Sequence, residues 1–589
     1  MPESLKVVIL TGQDSPLTCS IVSTLAHLPE AQVAGIMIDS GRVSVKARLR
    51  KLRRNVRRQG WSYLWFRWCG AITDWLERLA AGVVPKSEVS TLFAAAFPGQ
   101  ALTLDQLGML HRIPVFRVDN LNSAIAAEIL RRLTPDLGVV IGTRILKRST
   151  FSVPRIGCLN LHLGKVPQYR GMPPGFWELY DGYRSAGVTV HLVDDGLDTG
   201  DIVAEETLSV HDRDTPETLK RRLEARGREV LVQSVVALAH GVVTPKAQPA
   251  GRWPVRTAPT RRERKELARR LPAMRERQAI WMHALKTAYY LLLYYAGLPS
   301  LFRTVRRIRG KSRACILLYH RVNDLADDPL TTDVRRFAEH MMVLRKSYAM
   351  VPSSVLVAKV CGGQMFQTNA VTIHFDDCYR DVFVNARPVL GALAAPATLF
   401  VSSGYVGTQR RFPHDESGPW IFENLHPEEV RELIACGFEV GSHTVNHVDL
   451  GQVSDDTAAT ELTQSKRDLE AMTGRPVTLF SFPFGRETNI RPGVTALVRQ
   501  AGYRAMFSAH GGYVTRASDP FDLPRVGASG DTRPLDLIME IEGLSLGALR
   551  RRWRRAWWFC QKPSAPRSPE RTPSPQPDDA RLIREEEMT

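Results

Sequence analysis

The sequence predicts an α/β protein of more than one domain, and three observations carry that expectation. Near the N-terminus an apolar run at Lys6 to Thr11, a helical stretch around Cys19 to Ala26 and a second apolar run at Val33 to Asp39 make a strand–helix–strand opening. Far downstream another apolar strand, Val371 to Phe375, ends in two carboxylates. The length of 589 residues exceeds what one hydrophobic core sustains, since single cores stop growing near roughly 250–300 residues.

Composition narrows the class. A hydrophobic fraction of 44% and a charged fraction of 24% are those of folded protein. The net charge of +18 favours an acidic partner, which is nucleic acid, an anionic membrane face or a phosphorylated substrate. Eight cysteines are scattered without a C-x-x-C pair and read as reduced thiols. The opening MPESLKVVILTG enters a strand without a basic start or a signal-type cleavage site, so a cytosolic location is expected.

The elements follow in chain order. After the first strand, LTGQDS holds one Gly without phosphate-loop spacing and reads as a turn at a strand C-terminus, where doubly wound folds bind ligands. Between Lys46 and Leu79 the run KARLRKLRRNVRRQGWSYLWFRW mixes Arg, Lys and Trp. It is either a solvated amphipathic insertion or a helix lying in a membrane interface. The α/β rhythm resumes with VFRV, a helix at Ile125 to Leu133, and a β-type apolar run from Gly138 to Leu146.

The stretch NLHLGKVPQYRG, Asn160 to Gly171, comes next. One residue separates Asn160 from His162, so a strand there points both side chains to one face. An amide N–H holds a developing oxyanion and an imidazole moves a proton near neutral pH, which suits attack on a carbonyl carbon. Asp198, in a Gly-bounded loop after the strand Val188 to Val193, completes the set. The segment from Thr215 to Gly241 is a Thr-capped helix with a terminal Gly.

A basic connector spans residues 256–312, and its apolar part, AYYLLLYYAGLPSLF at Ala288 to Phe302, is shorter than the roughly 20 residues a spanning helix needs. Gly297 and Pro299 also interrupt it. It is a packed helix, or a membrane-surface helix flanked by Arg303, Arg306, Arg307 and Arg309. A third basic-aromatic stretch, RRRWRRAWWF, covers Arg550 to Phe559, and the tail from Pro563 onward has the composition of a disordered segment. No nucleic-acid motif accompanies these stretches, so no specific nucleic-acid partner is expected.

The second half starts with the strand CILLYHRV and reaches AVTIHFDDCYRD, where Asp376 and Asp377 stand at a strand end. Adjacent side chains point apart within a strand, but at its end both reach one site. Paired carboxylates there suggest a metal ligand beside a base. In FEVGSHTVNHVDL, His443 and His447 are four apart and share a face if the segment is helical. Two imidazoles and a carboxylate suit zinc or another divalent ion. The expected organisation is residues 1–255 with an insertion at 43–80, a connector at 256–312, a second domain at 313–545, and a basic-aromatic and disordered end at 546–589.

Two family resemblances sit on these motifs. The order N-x-H, P-x-Y-R-G, G-V-T-V-H and L-D-T-G resembles the formyl-tetrahydrofolate-dependent formyltransferases over residues 5–210. The resemblance implies a doubly wound, Rossmann-like domain with Asn160, His162 and Asp198 as the catalytic trio, and places the folate against the backbone of Thr143, Arg144, Ile145 and Leu146. Leu163, Gly164 and Lys165 depart from the Pro-Ser-Leu that many members carry, which leaves the acceptor pocket open.

The order YHRV, FDD, HTxxH, FSFPFG and LPR resembles the polysaccharide deacetylases, the NodB homology family, over residues 315–530. It implies a distorted (β/α) barrel with a divalent metal on Asp377, His443 and His447, and Asp376 as the base that activates water. His374 and Cys378 replace the usual Thr and Gly around the two carboxylates. Ser481 stands where many members have an Arg that orients the base, for which Arg525 is a substitute, and His510 is the one candidate for the family's late general-acid His.

The two resemblances together imply a bifunctional enzyme of amino sugars, nucleotide- or lipid-linked, that frees an amine by hydrolysis and formylates an amine, an N-acetyl to N-formyl exchange. Three alternatives stay open: formylation of a nucleotide sugar with deformylation of its lipid-linked form, a membrane- or nucleic-acid-binding protein with a degenerate hydrolase, and formylation of methionyl-tRNA. The basic-aromatic stretches add the expectation of peripheral contact with an anionic membrane face.

Overall fold

The computed structural model describes residues 4–551 except 13, 42–48, 50–51, 54–55, 58–61, 98–102, 213, 250, 252, 272–279, 325–329, 365, 367, 417–419 and 488. Much of the basic run after Lys46, the aromatic stretch beyond Arg551 and the tail therefore lie outside the described residues.

Seven strands make the first sheet: β1 Leu5–Thr11, β2 Ala31–Asp39, β3 Val115–Val118, β4 Leu137–Ile141, β5 Gly157–His162, β6 Ser185–Leu192 and β7 Ile202–Ser209. Their order is β3-β2-β1-β4-β5-β6-β7, with β1 to β5 parallel and β6 and β7 antiparallel. This is a doubly wound sheet with an antiparallel edge. Strand β4 is buried throughout, as a strand covered on both faces must be. The chain reverses direction across the sheet between β1 and β4, so a crevice opens at their C-terminal ends. Gly12 and Gly142 meet there; a Cβ on Gly12 would lie 2.6 Å from the Gly142 carbonyl oxygen. The strand expected to run to Leu146 stops at Ile141, because Gly142 turns the chain with φ +57°. Residues 142–146 are loop as a result.

The second half adds β8 Ala314–Tyr319, β9 Arg321–Val322, β10 Thr331–Thr332, β11 Ala349–Met350, β12 Ala370–Phe375, β13 Thr398–Val401, β14 Glu439–Ser442, β15 Leu479–Ser481, β16 Ala505–Phe507 and β17 Arg525–Gly527. All pairs are parallel, in the order β16-β15-β14-β13-β12-β8-β17, with β11 beside β12. A parallel bridge from Phe507 to Leu523 ties β16 to the segment entering β17, so the barrel is nearly closed. Side chains alternate: Cys315, Leu317 and Tyr319 pack with the surrounding helices, while Ala314 and Ile316 gather with Phe400 and Phe507.

The insertion after β2 does not stay with the first sheet. Helix Ser62–Ala81 puts Leu76 and Ala80 against Tyr290 and Leu291 of helix Ile280–Tyr295 and Leu535 and Met539 of helix Pro534–Glu542. Helix Lys86–Ala96 adds Val89, Leu92, Phe93 and Ala96 to the core around the barrel. Glu77 seals the contact, accepting from Arg533 at 2.6 Å and lying 2.9 Å from His283. The connector docks in the same way, through Lys286 with Asp536 at 3.0 Å and through the buried Glu542 with Arg303 at 3.1 Å. The reason is the helical spacing of apolar residues: the inward stripe is buried against the second half, whichever half the chain order assigns it to. Among the described residues no helix is long and apolar enough to cross a membrane.

Truncating Phe93 to Ala tests this packing. A ring lost from a core site should cost about 3–5 kcal/mol and lower the denaturant midpoint of unfolding. A change within about 0.5 kcal/mol would mean a solvated insertion.

Candidate active sites

Strand β5 lies between β4 and β6 and carries Asn160 and His162 on one face, with Asn160 opposite Val140 and His191. The structure brings both to Asp198, which follows β6 in a loop that takes φ +54° at that residue. Asn160 Nδ2 lies 3.1 Å from His191 Nε2 and 3.5 Å from Asp198 Oδ1. His162 Nε2–H donates to the Tyr169 carbonyl at 2.7 Å, leaving Nδ1 facing Asp198 Oδ2 at 3.5 Å. The Gly171 N–H donates to the same Oδ2 at 3.0 Å, and Gln248 donates to the carbonyl of Asp198 at 3.0 Å.

Two acceptors, Nδ1 and a carboxylate oxygen, thus face each other across a gap that suits an arriving proton. Burial pulls the His162 pKa below 6.5, against the opposing pull of Asp198 and the Tyr169 carbonyl. Burial pushes Asp198 up, but His191, His162 and the Gly171 amide outweigh it and hold the carboxyl below its usual range. The site at rest is a neutral imidazole beside a carboxylate.

Gly164 explains one departure from the family pattern. A Cβ there would lie 2.9 Å from both His162 Nε2 and the Tyr169 oxygen, so only glycine lets the turn fold over the imidazole. Lys165 is drawn away to Glu205 at 3.1 Å. The loop carrying Tyr169 and Gly171 is itself held by the chain near Arg256, whose N–H donates to Arg170 O at 2.8 Å and whose carbonyl accepts from Met172 N at 3.2 Å. Its guanidinium lies over Tyr169 and Trp177 and pairs with Asp181.

Thr143, Arg144, Ile145 and Leu146 form the loop after β4, the neighbour of β5. Arg144 donates to the buried Asp39 at 2.6 Å, and Leu146 is buried. Ile145 is exposed while its carbonyl accepts from Asn122 at 2.9 Å. With its guanidinium tied back, the loop presents backbone and an apolar side chain, which fits a flat heteroaromatic ring.

The second site lies at the C-terminal end of β12. Asp376 receives both Arg525 guanidinium nitrogens, Nη1 to Oδ1 and Nη2 to Oδ2, each at 2.7 Å, and the Ser481 hydroxyl at 3.1 Å. Arg525 Nε also donates to Ser508 O at 2.8 Å. Burial pushes the Asp376 carboxyl up, yet Arg525 and the nearby imidazoles more than offset it and hold it at about 2.

Asp377, His443 and His447 each offer a ligand atom within 4.8 Å of the others, and all three are buried. His443 Nδ1–H donates to Ser481 O at 2.8 Å, which turns its Nε2 lone pair toward Asp377 Oδ1 at 3.6 Å. His447 Nε2 is 3.2 Å from the same oxygen. The buried atoms Asp377 Oδ2 and His447 Nδ1 have no hydrogen-bond partner among the described residues. A buried O,N,N set with unsatisfied atoms fits a divalent cation.

The two histidines do not meet on a helix face as the spacing suggested. They meet because Thr444 and His447 take φ +66° and +55° in a loop after β14, capped by the buried Glu461, which accepts from the N–H groups of Val445 and Asn446 at 2.8 and 2.9 Å. Asp377 and Phe484 also have positive φ, +77° and +61°. Such backbone costs about 1–3 kcal/mol per residue and gathers at functional sites.

His510 is not brought to this cluster: its nitrogens go to Asp522 at 2.9 Å and Gly511 O at 3.3 Å. Two other histidines are. His414 Nε2 lies 3.7 Å from Asp377 Oδ2 and 2.8 Å from the Tyr379 hydroxyl. His320 is half-buried, and its desolvation lowers its pKa, while Asp377 and Asp376 oppose that shift. His320 was visible as the polar residue ending an apolar strand, whereas nothing in RRFPHDE signals His414. His374 lies inside the barrel against Phe400 and Phe507, with ring centroids at 5.0 and 4.7 Å, and meets the Ser353 hydroxyl at 2.8 Å.

Residues 103–235 match the formyl transferase family model, and residues 364–506 match the polysaccharide deacetylase model. Each match covers one segment of the chain, the first in the N-terminal half and the second in the C-terminal half. A methionyl-tRNA formyltransferase of Thermodesulfovibrio yellowstonii is 31% identical over 150 residues, 25% of this chain and 49% of that protein. The chain thus spans about half the length of the curated relatives it matches. Among solved structures, the deacetylase PplD of Streptococcus pyogenes, in complex with acetate, aligns with 39% of this chain and 98% of its own at 22% identity and TM-score 0.34. Glycinamide ribonucleotide transformylase 1 of Symbiobacterium toebii aligns with 42% of this chain and 95% of its own at 17% identity and TM-score 0.27.

In the formyl transferase half, NMR titration of the His162 ring should give a pKa below 6.5. The Asp198 charge raises that pKa, so Asp198→Asn should lower it further; an upward shift would mean that Asp198 does not act on His162 through its charge.

Proposed function

We propose that the chain is a bifunctional amino-sugar-modifying enzyme, with formyl transfer from formyl-tetrahydrofolate to a sugar amine in the first half and metal-dependent N-deacylation of a sugar in the second. The observation that carries this reading is the pairing of two complete carbonyl-chemistry sites in one chain, the second with an ionised carboxylate clamped by Arg525 beside a buried O,N,N set.

In the first site the folate-borne formyl group would rest on the backbone of residues 143–146. Asn160 has one N–H committed to His191, and its long 3.5 Å contact to Asp198 is the one a substrate oxygen displaces. His162, neutral and with Nδ1 open, takes the proton from the attacking amine; the imidazolium that forms lies between the Tyr169 carbonyl and the Asp198 carboxylate.

In the second site Asp377, His443 and His447 would hold a divalent metal, which when bound supplies Lewis-acid polarisation of the amide carbonyl. Asp376, kept ionised by Arg525, takes a proton from the attacking water. His320 and His414, both close to Asp377, are placed to return a proton to the leaving amine.

Mass spectrometry of nucleotide- and lipid-linked amino sugars, in free, N-acetyl and N-formyl forms, incubated with formyl-tetrahydrofolate and a divalent metal, tests the reading. Methionyl-tRNA as acceptor is the control suggested by the curated relatives. The Asn160→Ala/His162→Ala variant should lose formyl transfer by about 10²–10⁴-fold and keep deacylation. Asp377→Asn or His443→Ala should lose deacylation and bound metal and keep formyl transfer, and chelation should do the same. Unchanged activities in these variants would sink the assignment.

A further inference from the structure

The helices that dock on the second half bury one face and keep large apolar side chains exposed elsewhere. In helix Ile280–Tyr295, Tyr290 and Leu291 point inward, while Leu285, Leu292 and Tyr295 are at least 60% exposed. After the break at Gly297, helix Leu298–Ile308 shows Leu301 and Ile308, seven residues apart, with 56% and 76% exposure. The packed 62–81 helix adds exposed Trp68 and Trp75, also seven apart. These surfaces belong to one cluster of helices in mutual contact.

Along the connector helices charge has one sign, while the 62–81 helix carries an exposed Asp74 beside Trp75. Between Ile280 and Lys311 the sequence holds no Asp or Glu, whereas Arg307, Arg309 and Lys311 follow the apolar stripe and are exposed. Arg303 and Arg306 of the same helix are turned inward to the buried Glu542, so the outward cations are a separate set. A second copy of this chain would bring the same cations against them. An anionic surface would be attracted. Exposed Trp and Tyr with a partly polar ring, aliphatic side chains between them and cations alongside are what the headgroup layer of a bilayer accepts.

We propose that this face, formed by the connector helices and the 62–81 helix, docks the protein on an anionic lipid bilayer as a surface attachment. The lipid headgroups meet Arg307, Arg309 and Lys311, and Leu292, Leu301 and Ile308 enter the acyl boundary. The inference rests on this surface alone and does not depend on either proposed activity. It has a consequence for them: Lys286 and Tyr290 of the docked helix line a polar cavity of about 370 Å³ whose wall also holds Arg525, so the attachment lies next to the residue that clamps Asp376.

Flotation of the full chain with vesicles of phosphatidylcholine alone or with phosphatidylglycerol tests it. Binding should require the anionic lipid and fall as salt rises. The Leu292→Glu/Leu301→Glu/Ile308→Glu variant should bind about tenfold less with an unchanged melting temperature, since the replaced side chains are solvent-facing. Should that variant not fold, Arg307→Gln/Arg309→Gln/Lys311→Gln should still lose most binding and its salt dependence. No binding to anionic vesicles, or equal binding by both variants, overturns the proposal. A doubled mass in light scattering that the Glu variant abolishes overturns it too, by assigning the face to a second copy.

Discussion

One buried guanidinium ties the second half together. Arg525 stands in β17, gives two hydrogen bonds to Asp376 at the end of β12 and a third to the carbonyl of Ser508 after β16, and thereby joins the two sides of the barrel's seam. Both partners of the ion pair are almost wholly out of water. A buried charge is tolerable only when paired and fully hydrogen-bonded, so the pair locks geometry more than it adds net stability. Because Asp376 is held and oriented by the same contacts, closure of the barrel and the placement of that carboxylate are one event. The neighbouring loop, with its left-handed residues, can be strained because Glu461 and the barrel wall over-determine it.

The first half uses a carboxylate as hub instead. Asp198 faces Asn160, His162 and His191 and is itself fixed by Gly171, and the loop bearing Gly171 is held from outside by the chain at Arg256. Residues beyond the last strand of the sheet thus fix the loop that holds the Asp198 carboxylate. The same principle operates between halves. Helices inserted after β2 add to the helical layer around the barrel, and the connector packs beside them, so a segment that interrupts the first sheet in the chain is buried against the second half.

The α/β class, the apolar strands and the pairing of Asn160 with His162 were legible in the sequence because their periodicity is local: two residues apart on a strand is a same-face statement whatever surrounds it, whereas Asp198, in a distant loop, came only with the order of the motifs. The carboxylate pair and the two histidines were legible as donor types, but not as a geometry. Helical spacing suggested one face, whereas the structure uses positive φ at Thr444 and His447 to turn both rings inward, a conformation that residue type does not announce. Gly164 looked like an unexplained departure until the turn over His162 showed that a Cβ has no room there.

By itself the sequence determined the α/β class and singled out the residue types of both candidate sites, since hydrophobic alternation and short motifs act over a few residues. Tertiary structure alone decided which half owns the insertion, that Arg525 rather than His510 reaches the site, and that His320 and His414 join it. Those contacts span tens to hundreds of residues, and only the closure of a barrel or the burial of an apolar stripe selects among the partners that local pattern leaves equivalent.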